Sequence, residues 1–140
     1  MTMPPNTKSK LLTAYLSEPL PPFDWRGANC GHFAGAFVER VEGTDPLAGL
    51  ALGDSLRATR RILADAGGML ALVSQQLARE PIAPAFAQLG DMVLLPLSDA
   101  DPLAQALGLC CGEVAAVRDE AGAVHLLPMA AALAAWRVGT

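Results

Sequence analysis

The sequence predicts an α+β domain, helices first and a small antiparallel sheet second. Two features predict it. Up to about residue 80, apolar residues recur at helical spacing between Pro and Gly breaks. After Gly90-Asp91 the texture changes to short apolar runs of strand length, parted by turns rich in Gly and Asp. With 140 residues the chain is expected to be one domain spanning 1–140, large enough for a core.

Residues 1–22 are an N-terminal helix and a proline-rich lead-in. Thr7 to Ser17 is a short helix with Leu11, Leu12, Tyr15 and Leu16 apolar, and Glu18-Pro19-Leu20-Pro21-Pro22 ends it and forces an extended path. Asn29 caps a central helix running to about Val41, with Phe33, Phe37 and Val38 as its apolar stripe and Gly43 just past its end. Asp45 to Leu50 is a turn and connector. Asp54 or Ser55 caps a helix to about Ala66, with Leu56, Thr59, Ile62, Leu63 and Ala66 inward, and Gly67-Gly68 stops it. Met69 to Arg79 is a further helix with Leu70, Val73 and Leu77 inward. Met92 to Leu97 is a buried strand, Gln105 to Cys111 a second, Glu113 to Val117 a third and Val124 to Leu127 a fourth. Ser98 to Pro102, Gly112 and Asp119 to Gly122 form the turns. Pro128, at the favoured first position, is expected to open a C-terminal helix, Met129 to Trp136.

Bulk properties narrow the function classes. Net charge is −4 and the ten basic residues are scattered. Arg57, Arg60 and Arg61 form a solvated helix face rather than the broad basic surface that nucleic-acid binding needs, so no nucleic-acid partner is expected. Met1 to Lys10 is polar, so no signal peptide is expected, and no window of about 18 apolar residues predicts a membrane span. Three cysteines without metal-finger spacing point to reduced thiols, an intracellular setting and no metal or cofactor.

Chemistry concentrates in Phe23 to Val38, which holds four of the seven aromatics, one cysteine and one histidine. Cys30 falls in the first turn of the central helix, where free N–H groups and the helix dipole favour a thiolate. Cysteine hydrolases build their nucleophile in this way.

The order of parts resembles the papain-like fold of NlpC-type cell-wall peptidases. That family carries a Trp-Gly segment and an Asp-Cys or Asn-Cys pair opening a helix, matched by Trp25, Asn29 and Cys30. A Gly-Asp-hydrophobic strand follows, matched by Gly90 to Leu94, and then a His-Val-Gly strand, whose counterpart is Ala106 to Gly112. More narrowly, the chain is similar to a branch found in tailed-phage and prophage tail-gene clusters. The shared segments are Pro22 to Trp25, Asp45 to Leu50, Gly90 to Leu94 and Ala135 to Val138. The resemblance implies a component of a phage tail tip or of tail assembly. It would sit in the virion tail, or in the cytoplasm before assembly, with other tail or baseplate proteins as partners.

The resemblance also implies that the histidine opening the second strand is the general base. Here that place holds Ala106, which accepts no proton. A helix N-terminus alone supplies roughly 0.3–1 kcal/mol, under one pKa unit, and leaves a thiol mostly protonated at neutral pH. His32 is two residues after Cys30, about 200° round the helix, and points away from it. His125, on the fourth strand, could reach Cys30 only if that strand neighbours the helix N-terminus on the right face. Asp24, Asp91 and Glu113 could orient a base, yet each is also an ordinary turn residue. The first reading is therefore a structural or assembly protein on an inactive peptidase fold. The second is a cysteine endopeptidase or amidase cleaving peptidoglycan peptides, with Cys30 as nucleophile and His125 as relocated base. A metal site built from Cys30, Cys110 and a histidine is a third, weaker idea.

Overall fold

The computed structural model describes residues 5–19, 30–48, 55–97, 105–119 and 122–139. Four helices come first: α1 (Pro5–Leu16), α2 (Cys30–Glu42), α3 (Leu56–Asp65) and α4 (Met69–Leu77). Five strands follow: β1 (Met92–Pro96), β2 (Gln105–Cys110), β3 (Val114–Arg118), β4 (Val124–Pro128) and β5 (Ala134–Trp136). The arrangement is α+β, as expected. Asn29, Asp54, the Leu20 to Pro22 lead-in and the Ser98 to Pro102 turn lie outside the described residues.

Local chemistry sets the helix limits. Ser55 caps α3, its Oγ accepting from Ala58 N at 3.2 Å. Glycines with positive φ end α2 at Gly43 and part α3 from α4 at Gly67 and Gly68. Within α3, Thr59 and Leu63 are buried as the stripe predicts. In α4 the buried set is Met69, Leu72, Val73 and Leu77, and Leu70 faces out. Leu72 in place of Leu70 gives four residues at three-, four- and eight-residue separations from Met69, a better-formed stripe.

The sheet is antiparallel with order β4-β3-β2-β1-β5. β1 to β4 form a meander, with Leu94 opposite Leu107, Leu109 opposite Ala116 and Val117 opposite His125. Gly112, φ 99°, makes the tight β2–β3 turn possible.

The expected C-terminal helix is not formed. Met129–Ala131 is a single 3-10 turn, and the chain then runs as β5 along the free edge of β1, Ala135 opposite Val93. Helix propensity offers a few tenths of a kcal/mol per residue at most. Against it stand the ladder and the complete burial of Trp136, whose Nε1 donates to Ser74 Oγ at 3.0 Å. Tertiary burial wins.

Strand alternation divides the core in two. Met92, Leu94, Leu107, Leu109, Ala116 and Trp136 face the helices and pack with Phe33, Phe37 and Val38 of α2. Val93, Leu95, Ala106, Cys110, Ala115, Val117 and Ala135 face the other way, under Ile82, Ala87, Met129 and Ala132.

Candidate functional site

The candidate site is the junction of the α2 N-terminus with the sheet. Cys30 is the first residue of α2. Its side chain, like Asp24, Trp25 and Asn29, lies outside the described residues. The sheet beneath α2 is described, and it changes which residue matters. Ala106 belongs to the apolar cluster on the far side of the sheet, with Cys110. The residues of β2 facing α2 are Leu107 and Leu109. Alternation places Gln105, at the head of β2, on their side. Ala106 is thus one register step off the position that meets α2. The residue that does stand there is a glutamine, whose neutral amide is no proton acceptor for a thiol.

His125 is excluded from that junction by its face. It sits on β4, at the sheet's edge with β3 between it and β2. Its cross-strand partner, Val117, belongs to the far-side cluster, and opposed residues point the same way. The imidazole Nε2 is instead held by the Asp119 carboxylate in an exposed pair. His125 thus turns to the face opposite α2. Cys110 faces away from α2 with Ala106, so the three-residue metal idea loses its second ligand as well. Among the described residues no three His, Cys, Asp or Glu side chains gather as metal ligands.

Asp91 closes the Gln88–Asp91 turn, its N donating to Gln88 O at 2.9 Å, and it is also a buried structural anchor. It has no exposure to solvent. Its Oδ1 accepts from Lys8 Nζ at 2.6 Å and from Val138 N at 2.9 Å, and its Oδ2 from Gln88 N at 2.8 Å. The Arg137 guanidinium stands 3.7 Å away. One carboxylate thus ties α1, the start of β1 and the C-terminal segment. The sequence held a signal for its partner: Lys8, Leu12 and Tyr15 share the i, i+4, i+7 stripe of α1. Gly90, φ 85°, lets the Lys8 stem pass, since a Cβ there would stand 2.8 Å from Lys8 Cε and 3.1 Å from Phe37 Cε2.

Asp45 and the Glu42–Arg79 pair are further structural anchors. Asp45 Oδ1 accepts from Leu47 N at 2.8 Å and lies against Gly35, where any Cβ would overlap its carboxylate. Arg79 pairs with Glu42 through both guanidinium arms and donates to Arg137 O at 2.7 Å. Gly139 N donates to the same glutamate at 2.8 Å. Glu113 is exposed at the β2–β3 turn.

Phenolic and cationic groups lie along α2, and the Asp45 carboxylate lies against Gly35 in its second turn. Tyr15 OH donates to Phe33 O at 2.6 Å, and burial pushes its pKa up to about 12 against the opposing pull of Arg40, which lies over its ring. Arg118, on the helix-facing side of β3, is 4% exposed, and its Nε donates to Gly122 O at 3.4 Å. Burial raises the thiol pKa of Cys110 and of Cys111, so neither is poised as a nucleophile. The described surroundings of α2 hold the helix in place. They supply no proton acceptor at the head of β2.

Among the described residues no helix is long and apolar enough to cross a membrane. No curated protein and no solved structure matches the chain. Residues 5–138 match the family described as a domain of unknown function, DUF6950, and the chain belongs to that family.

Proposed function

We propose that the chain is a non-catalytic domain built on an NlpC-like, papain-like fold, and that it serves in the structure or assembly of a phage-type tail tip. Its partners are other tail or baseplate proteins. Its place is the virion tail, or the cytoplasm before assembly. One observation carries this reading. The sheet face under α2 presents leucines and, at the head of β2, Gln105, while His125 lies on the opposite face bound to Asp119. With no base among the described residues at the head of β2, the nucleophile position would rely on the helix terminus to favour a thiolate, which is too little for attack on a peptide bond. Among the described residues of those segments, Asp45, Asp91 and Trp136 serve as internal anchors, which supports a fold kept for its shape.

The test is thiol reactivity in the intact protein. Alkylation of Cys30, followed peptide by peptide across pH 5 to about 10, is expected to rise with the profile of an ordinary thiol. In a phage or prophage carrying the gene, Cys30→Ser is expected to restore tails as fully as the native gene in a deletion background. Rapid labelling two or more pH units below the ordinary thiol range, or a Cys30→Ser variant that behaves as the deletion, overturns the reading in favour of a cysteine peptidase.

A further inference from the structure

α3 carries its charges where its own stability disfavours them. Thr59 and Leu63 are buried and fix the inner side of the helix. Arg57, Arg60 and Arg61 are exposed on the opposite side. Arg57 lies in the first turn, at the positive end of the helix dipole, and Asp65 closes the last turn, at the negative end. The first turn holds no acidic residue and the last turn no basic one. Arg57 meets Arg60 and Arg61 at three- and four-residue separations, where like charges repel. Arg61 and Asp65 have opposite charge at a four-residue separation, but in the weaker order, base before acid. Cations elsewhere serve the fold. Lys8 is paired with Asp91, Arg40 with Glu18 and Arg79 with Glu42, and Arg118 and Arg137 donate to backbone carbonyls. A helix that breaks several local rules at once, on its solvent side, marks a surface shaped by something other than stability.

We propose that the outward face of α3 docks an acidic segment of a partner protein, with Arg57 and Arg61 binding its carboxylates and Arg60 beside them. Such a segment relieves the conflicts together. It offsets the first-turn cation and places negative charge between side chains that repel one another. Arginine suits the task, because its planar fork meets a carboxylate through two parallel bonds. Four residues of helix rise about 6 Å, so Arg57 and Arg61 match two carboxylates at a similar separation, the i, i+4 spacing of an acidic helix. The net charge of −4 sets the selectivity. Around a face of three arginines it repels a long polyanion, whose phosphates run past the patch, and admits a short acidic segment that ends with it. The contact is polar and therefore weakened by salt. It needs only the charges of α3, and it would serve a domain outside any tail equally well.

The full-length protein is to be titrated with an amidated, alanine-based peptide carrying Glu at i, i+4 spacing, and its arginine Nε–Hε resonances followed by NMR. Those of Arg57 and Arg61 are expected to shift and saturate at low salt and to return as salt rises. The same peptide with Gln for Glu is expected to leave them in place. Arg57→Glu is expected to weaken binding about tenfold or more. Lys10→Glu, the same charge change at an exposed position of α1, is expected to weaken it less than about twofold. Arg57→Glu is also expected to raise the urea midpoint of the unbound protein, because it puts an acid in the first turn and an acid-before-base pair with Arg61. No saturation by the Glu peptide, an equal response to the Gln peptide, an equal loss with Lys10→Glu, tighter binding of a short DNA duplex at the same salt, or a midpoint that does not rise each overturns the proposal.

Discussion

Lys8 and Asp91, 83 residues apart in the chain, form an ion pair at 2.6 Å in which the lysine side chain is 8% exposed and the aspartate 0%. Taking two charges out of water is costly, and the pair holds only because its remaining valences are filled by Val138 N, Gln88 N and Arg137. Breaking it from the carboxylate side strands a buried ammonium. Asp91→Ala is expected to cost about 3–5 kcal/mol in urea denaturation. Lys8→Met, which leaves Asp91 its backbone donors and Arg137, is expected to cost about 1–3 kcal/mol. Equal losses in the two variants would mean that the backbone bonds to Asp91 contribute nothing.

Gly90 and Gly43 separate backbone strain from crowding. Both have positive φ, 85° and 92°. A Cβ at Gly43 meets nothing within 4 Å, whereas one at Gly90 strikes the Lys8 stem and Phe37. Gly43→Ala is expected to cost about 1 kcal/mol from the left-handed backbone alone. Gly90→Ala adds the displacement of a buried ion pair and is expected to cost about 1–3 kcal/mol more. Denaturant midpoints of the two variants check the difference.

How much of this was legible in the sequence depends on what set each feature. The helices and the first four strands were, because their signals are local: Pro and Gly breaks, the Ser55 cap and short apolar runs. β5 was not. Met129 to Trp136 reads as helix by propensity, and only the unpaired edge of β1, about forty residues back, makes its end, Ala134–Trp136, a strand. The face of β2 was equally hidden. A run in which every residue from Ala106 to Cys110 is buried carries no alternation signal, and a one-residue slip exchanges Ala106 for Gln105. Cys30 was legible as the residue opening α2. The fate of His125 was not, since it rests on the β3–β4 register and on the Asp119 pairing.

The Glu42–Arg79 pair gives a defined acid limb. Burial disfavours the Glu42 charge, but the Arg79 guanidinium, the Gly139 N–H and Lys8 outweigh it and hold the carboxyl below its ordinary 4.5. A depressed folded-state pKa contributes stability that is complete above the unfolded value and is lost as pH falls through the folded one. Native protein is therefore expected to lose stability as pH drops below about 4.5. Glu42→Gln is expected to be less stable than native at pH 7, and the gap is expected to narrow towards pH 3. Urea midpoints at several pH values provide the check, and a gap constant with pH would remove this pair from the acid limb.

The C-terminal strand makes the sharpest contrast with the helix that local propensity favours. Ala135 N donates to Ile82 O at 3.1 Å and Ile82 N to Ala135 O at 2.7 Å, while Leu133 N donates to Leu94 O at 2.8 Å. A helix of about two turns at this place would fray, and its amides would exchange through local opening. Amides laddered to β1 and anchored by a fully buried indole are expected to exchange only with global unfolding, as slowly as those of Val93 and Leu107. Ser74→Ala leaves the Trp136 N–H without its partner and is expected to cost about 1–3 kcal/mol. Trp136→Phe removes both that bond and part of the core. The double variant is then expected to be less damaged than the sum of the singles by about 0.5–1.5 kcal/mol, because the stranded donor is gone. Fast exchange at Leu133, whose amide donates to Leu94 O, or strict additivity of the two substitutions, would mean that the segment is not held to β1 and α4 in this way.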